Sequence, residues 1–171
     1  MPFKLISRAL DTVGDGSGTK NAIGNYSSAA EEFLMSPDAG EQWTISRLIV
    51  SVEDSAGALA DEYGNLGNAL SNGIKVEVHD GSGLLYSLTD PDIPIKTNAQ
   101  WGIMCYDVNM ASWGVSPSND LLLVRWTFTR FGKPIVLRSW NSEKLVVTLN
   151  DNLVGLISHY FVAQGWQSDT H

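Results

Sequence analysis

Apolar and polar positions along the chain alternate in runs of strand length, and clusters of turn-forming residues separate the runs. Helical spacing of apolar residues is nearly absent. In IKVEVHDGSGLLYSL, Ile74, Val76 and Val78 fall on one side of an extended backbone and Lys75, Glu77 and His79 on the other, so Asp80–Gly83 predicts the turn of a hairpin. WTISRLIVSV (Trp43–Val52) carries apolar residues on both alternating faces, as a central, covered strand would. LLLVRWTFTR (Leu121–Arg130) places Leu122, Val124, Trp126 and Phe128 on one face. FGK then turns the chain into Pro134–Trp140, NSEK into Leu145–Leu149, and NDN into Leu153–Trp166. Asn150, Asp151 and Asn152 suit a tight turn because their side chains bond locally to the backbone and tolerate left-handed conformations.

With EEFLM and IMCYDV added, the pattern predicts eight or nine strands. Short strands at regular spacing pack as two antiparallel sheets, so the expected fold is an all-β sandwich. Eight strands is the jelly-roll number, which makes that winding the favoured topology, although the pattern alone does not separate it from other sandwiches. The stretch Glu53–Gly73 interrupts the strands and reads as one elaborated loop, a kind of segment that often carries function.

The run LDTVGDGSGTKNAIGNYSS (Leu10–Ser28) looks like a linker, yet only nine residues precede it. Such a tract has little apolar surface to offset its ordering entropy. The expected division is therefore an extended N-terminal arm over residues 1–28 and a single β-sandwich domain over 29–171. Two placements of the arm stay open. It can reach a neighbouring subunit, since about 25 extended residues span on the order of 80 Å, or it can fold back over an edge strand of its own sandwich. Exchange with a neighbour is the favoured placement. Phe3, Leu5, Ile6 and Leu10 would then be its apolar anchors, and Ile23 and Tyr26 would fix its far side.

Composition narrows the function classes. The 171 residues are 43% hydrophobic and 18% charged, which fits one globular domain. No segment has the apolar length of a membrane span, and the start of the chain lacks the features of a signal peptide. Net charge is −8. Residues 1–85 hold 5 basic against 12 acidic side chains, and residues 86–171 hold 6 against 7. Neither half offers the basic patch that nucleic acid or an anionic membrane surface requires, so neither partner is expected.

Candidate chemistry is sparse. Gly14, Gly16, Gly18 and Lys20 invite a phosphate-loop reading, but the order Gly-Thr-Lys and the absence of a following helix pattern contradict it, and the dinucleotide fingerprint is also missed. His79, His159 and His171 lack metal-ligand spacing. His159 alternates with Ile157 and Phe161, the setting of a packed histidine. The single cysteine, Cys105, lies in an apolar setting that suits a buried thiol and leaves no partner for an intramolecular disulfide. Acidic pairs at Glu53/Asp54, Asp61/Glu62 and Asp90/Asp92 follow no calcium-loop spacing and read as solvated loop carboxylates. No catalytic residue, metal ligand or cofactor is therefore assigned, and the chain is expected not to be an enzyme. Of the six tryptophans, Trp101 and Trp113 sit in loop-like settings. There an aromatic either packs, anchors an interface or offers a stacking face to a sugar; Tyr63 is a further loop contact of the same kind.

The segments FKLISRALDT, WTISRLIVSVED, EYGNL, LSNGI, PIKTNAQWG, LLVRWTF and LVVTLNDNLVGLISHYFVAQG resemble the small virion proteins of tailed bacteriophages across nearly the whole chain. The resemblance lies in texture and phrase, without a motif tied to chemistry. It implies a non-enzymatic structural role: a capsid decoration or cement protein, made in the host cytoplasm and residing on the outer surface of the virion head. The partners it implies are the chain itself, as a trimer or dimer, and a major capsid protein. Closed homo-oligomers suit a cyclically exchanged arm. A tail, connector or baseplate component is the alternative within that class. A carbohydrate-binding adhesion module using Trp101 and Trp113 is the alternative from another.

Overall fold

The computed structural model describes residues 3–15, 18, 30–53, 72–88, 108–110, 121–127, 134–151 and 158–169. Ten strands are found there: β1 (Lys4–Ala9), β2 (Glu31–Met35), β3 (Glu41–Glu53), β4 (Ile74–Asp80), β5 (Gly83–Ser87), β6 (Val108–Met110), β7 (Leu121–Thr127), β8 (Ile135–Arg138), β9 (Lys144–Leu149) and β10 (Ser158–Asp169). Among the described residues there is no α-helix, and Ser139–Asn141 forms a single 3-10 turn. Two antiparallel sheets pack as a β-sandwich. One runs β1-β10-β3-β7-β6, with β8 also paired to β3; the other runs β2-β9-β4-β5.

Sequence alternation accounts for much of the core. Ile74, Val76 and Val78 of β4 are buried against the opposite sheet, and Leu145, Val147 and Leu149 of β9 join them. From the other sheet come Trp43, Ile45, Leu48, Val50 and Val52 of β3, with Phe161 and Ala163 of β10. Phe33 of β2 meets Phe161 edge-on across the layers, with ring centroids 5.0 Å apart. Each large apolar side chain buried this completely contributes about 1.5–3 kcal/mol.

β3 shows how a central strand keeps one face inward. Its core residues fall on odd positions up to Ile45 and on even positions from Leu48 onward. A bulge makes the change of phase. Gln164 of β10 pairs with Arg47 and Gly165 with Ile45, which leaves Ser46 as the extra residue. The Ser46 hydroxyl donates to the Gln164 carbonyl at 3.3 Å. Opposite the bulge only glycine fits, because a Cβ on Gly165 would lie 1.9 Å from the Thr44 carbonyl oxygen. The apolar residues of Trp43–Val52 thus reflect a phase shift within one core-facing set as well as coverage of the strand.

Two expectations change in detail. The turn signal FGK does not fold one strand back onto the next. Instead β7 and β8 lie in line along the same side of β3, Thr127 pairing with Arg47 and Ile135 with Ile45. A turn signal marks an insertion in a continuous edge just as well as a hairpin, and strand pairing decides between them. The second change is β1. Lys4–Ala9 pairs along its whole length with β10, from Lys4↔Gln167 to Ala9↔Val162. Ile6 and Leu10, expected as anchors on a neighbour, are buried in the chain's own core. Arg8, on the same side, lies with its guanidinium 5.9 Å from the centre of the Trp43 ring. Phe3 and Leu5 project the other way and are exposed.

The strand ends separate two kinds of connection. Short turns join β2 to β3, β4 to β5 and β8 to β9, all at one end of the sandwich. At the other end lie Glu31, Leu149 and Ile74 of one sheet, and Glu53, Leu121 and Ser158 of its partner. The longer connections start or finish there.

Candidate functional site

Three regions of the described surface could carry function: the N-terminal edge, the β4–β5 hairpin edge, and a cleft among the short turns.

At the N-terminal edge the chain changes sheets. Leu10 donates its N–H to the Phe161 carbonyl in the first sheet, and Asp11 then forms a two-way bridge with Leu34 of β2 in the second. The Asp11 carboxylate organises the start of the glycine run. One oxygen accepts the N–H groups of Val13 at 2.9 Å and Gly14 at 2.5 Å, and the other accepts that of Gly18 at 2.7 Å. Gly18 approaches so closely that a Cβ there would sit 2.7 Å from Asp11 Cβ. The Gly14 carbonyl accepts both the N–H and the hydroxyl of Ser36. The first part of the glycine run is therefore held by its own sandwich, through a carboxylate that satisfies backbone donors in place of water. Phe3 at 69% exposure, Leu5 at 86% and the neighbouring Val13 remain in solvent.

At the far edge of the second sheet, β5 pairs with β4, and Val78↔Tyr86 is followed by His79↔Leu84, so Leu85 is bulged out. Leu84 and Leu85 are exposed in succession as a result, with Tyr86 beside them less so. Simple alternation would have turned one of the two inward. On β4 itself, His79 Nε2 lies 2.8 Å from Glu77 Oε2, a pair on the polar face that the alternation predicts.

The cleft measures about 480 Å³ and is walled by three turns: Ser36–Pro37, Asp80–Gly81, and the β8–β9 turn through Ser139, Ser142, Glu143 and Lys144. The walls are tied to one another. Gly81 donates to the Asn141 carbonyl at 3.2 Å, and Gly40 donates to Ser139 Oγ at 3.1 Å. Glu143 is buried and braces its own turn. Its carboxylate accepts the Arg138 N–H at 2.9 Å, the Asn141 side-chain amide at 2.9 Å and the Arg138 guanidinium at 3.2 Å. Ser142 adopts a left-handed conformation, φ 55°, which closes the 3-10 turn. No sequence pattern points to this site. Trp140 reads as the end of a strand, whereas it sits on the 3-10 turn with 53% of its surface exposed.

Two further polar groups are structural. Asp151 is buried and accepts the N–H groups of Asn72 at 2.9 Å and Gly73 at 2.7 Å, together with the Asn72 side-chain amide at 3.2 Å. It thereby fixes the point where the long connection enters β4. His159 is packed, as its alternation with Phe161 suggests: it stacks on Phe161 and tilts against Phe33, both at 4.7 Å between centroids. Burial lowers its pKa to about 4, which keeps the ring neutral.

The remaining candidates, Ile23, Tyr26, Tyr63, Trp101, Trp113 and Cys105, lie outside the described residues. Among the described residues no three His, Cys, Asp or Glu side chains are grouped to hold a metal ion, and no helix is long and apolar enough to cross a membrane. Comparison of the chain with protein-family models, with curated proteins and with solved structures found no match in any of the three.

Proposed function

We propose that this chain is a structural assembly protein of a tailed-phage virion, a decoration or cement protein that stabilises the head by bridging capsid subunits without doing chemistry. The observation that carries the reading is the pair of apolar edges. Leu5 stands outward on β1 with Phe3 just before it, and Leu84 and Leu85 stand outward on β5, beside a core built without them. Exposed apolar groups on edge strands are a liability in a solitary domain and an asset in one that docks through its edges.

The winding belongs to the same reading. β1 pairs with β10, β2 with β9, β3 with β7 and β8, and β4 with β5. These nested pairs are what one long hairpin makes when it rolls up into a jelly roll, and they favour that topology over other sandwiches. The assembly contact rests on the outward side chains of β1 more than on a free arm, since Ile6, Leu10 and Asp11 are engaged within their own sandwich. A closed dimer or trimer is the form such edges suit, with a major capsid protein as the second partner.

The test is solution mass by light scattering, followed by co-sedimentation with genome-emptied phage heads. Deleting the N-terminal segment would remove core residues, so Leu5→Asp and Leu85→Asp in the full chain are the appropriate variants. The reading expects an oligomer of two or three chains that binds heads, and loss of one or both properties in a variant that keeps its β-rich spectrum. A wild-type chain that stays monomeric and leaves heads undecorated overturns it.

A further inference from the structure

We infer that the junction of Asn72 and Gly73 is a site of spontaneous covalent modification, deamidation through a succinimide, and that the Asp151 carboxylate holds the reaction back. The assignment is independent of the assembly reading and uses none of its residues.

Asn72 and Gly73 form the one Asn-Gly pair in the chain. In such a pair the glycine nitrogen can attack the asparagine side-chain carbonyl carbon with no Cβ of its own in the way. A bond forms between Gly73 N and Asn72 Cγ, and the Cγ–Nδ2 bond breaks. The departing nitrogen takes the proton lost by Gly73 N and leaves as ammonia. Water then opens the ring at either carbonyl, which gives aspartate or isoaspartate at position 72.

Both reacting groups are engaged in the folded chain. Gly73 donates its N–H to Asp151 Oδ2 at 2.7 Å, so the attacking nitrogen is bound through the proton it must lose. Removing that proton develops negative charge on nitrogen beside a carboxylate, which like-charge repulsion opposes. The leaving amide is held as well. Asn72 Nδ2 donates to Asp151 Oδ1 at 3.2 Å and to the Asn150 carbonyl at 3.2 Å. Beyond the junction, the Gly73 carbonyl accepts the Asn150 N–H at 3.1 Å and its side-chain amide at 3.0 Å. Ring closure must break the Gly73 N–H bond and move an amide that two acceptors restrain.

The fold keeps this reactive pair because the position needs glycine. Gly73 has φ 82°, in the left-handed region, so a side chain that would shield the nitrogen is strained there. The products would be disruptive. Aspartate at position 72 sets a second carboxylate beside buried Asp151, and isoaspartate adds a methylene to the backbone where the long connection enters β4.

Peptide mass spectrometry of the full chain, aged in mildly alkaline buffer, reads the amide-to-acid mass gain at position 72. The folded wild type should react about ten- to a hundredfold more slowly than the same chain unfolded in urea, and Asp151→Ala should recover most of that difference. Asp151→Asn keeps an acceptor without the charge, so its rate should fall between the two. Glu143→Ala loosens the opposite end and should react like wild type, which separates the carboxylate's effect from general destabilisation. Circular dichroism verifies the β-rich fold of each variant; should Asp151→Ala not fold, the other comparisons decide. Equal rates in folded and unfolded wild type overturn the proposal. So does a rate in Asp151→Asn at or below that of wild type, or an equal rise in Glu143→Ala.

Discussion

The two ends of the sandwich solve the same problem with the same chemical group at very different reach. At the short-turn end, Glu143 is buried and satisfies backbone and side-chain donors two and five residues away. At the opposite end, Asp151 is buried and satisfies donors 78 and 79 residues away. A turn of a few residues brings its own donors to a nearby carboxylate. A long connection cannot, so its entry into the sheet is fixed by a side chain from a strand end that the fold happens to place beside it. The Asp11 carboxylate is intermediate, holding donors two, three and seven residues on. Local encoding makes a turn robust, while distant encoding makes it depend on the whole sheet.

This contrast can be broken most forcefully at the strand core both ends share. Gly165→Ala should abolish folding or lower stability by more than about 4 kcal/mol, because the Thr44 carbonyl occupies the space of the new Cβ. Chemical denaturation reads the effect, and a loss under about 1 kcal/mol would mean that the bulge relaxes freely. Next in size, Asp151→Ala should remove about 3 kcal/mol by leaving the Asn72 and Gly73 donors unsatisfied. Hydrogen exchange should rise first at Gly73 and in the neighbouring residues of β4.

The third effect comes from pH. His159 binds its proton at about pH 4 in the folded chain against an ordinary value of 6.5. As pH falls through that window the unfolded chain takes up a proton that the folded chain refuses, so stability drops and then levels off below it. The full drop is on the order of 3 kcal/mol. Glu31, whose pKa burial raises, works in the opposite sense at the acidic side. The informative quantity is therefore the difference between wild type and His159→Phe, which should lack this component of the slope. Equal slopes in the two proteins would show that the ring titrates as if in water.

The smallest effect sharpens the comparison directly. Glu143→Ala should cost about 1–2 kcal/mol, less than Asp151→Ala, because its turn is partly open to water that can take over the freed donors. Equal losses at the two ends would erase the distinction between local and distant encoding.

Much of the sandwich is legible because alternation with period two reports which side of a strand is wet. The faces of β4 come directly from Ile74, Val76 and Val78 set against Lys75, Glu77 and His79. The packed character of His159 is readable the same way. β1 is harder to see. Its inward residue Ile6 and Leu10 just after the strand are separated by Arg8, a charged residue placed over Trp43, so the alternation looks broken. The change of phase within Trp43–Val52 is visible in the sequence, but its meaning requires knowing what lies opposite Ser46. The cleft is not legible at all, since residues 36, 80 and 144 meet only when three turns close at one end.

The sequence by itself determined that this chain forms β-strands, where most of them run and which sides they bury, because those properties depend on neighbours one or two residues away. Tertiary structure alone decided that Leu10 and Asp11 stitch the N-terminal segment across two sheets, that β7 and β8 share one edge, and that Asp151 holds Gly73. Each of these depends on a hydrogen bond between groups far apart in the chain, and such a bond has no local pattern to announce it.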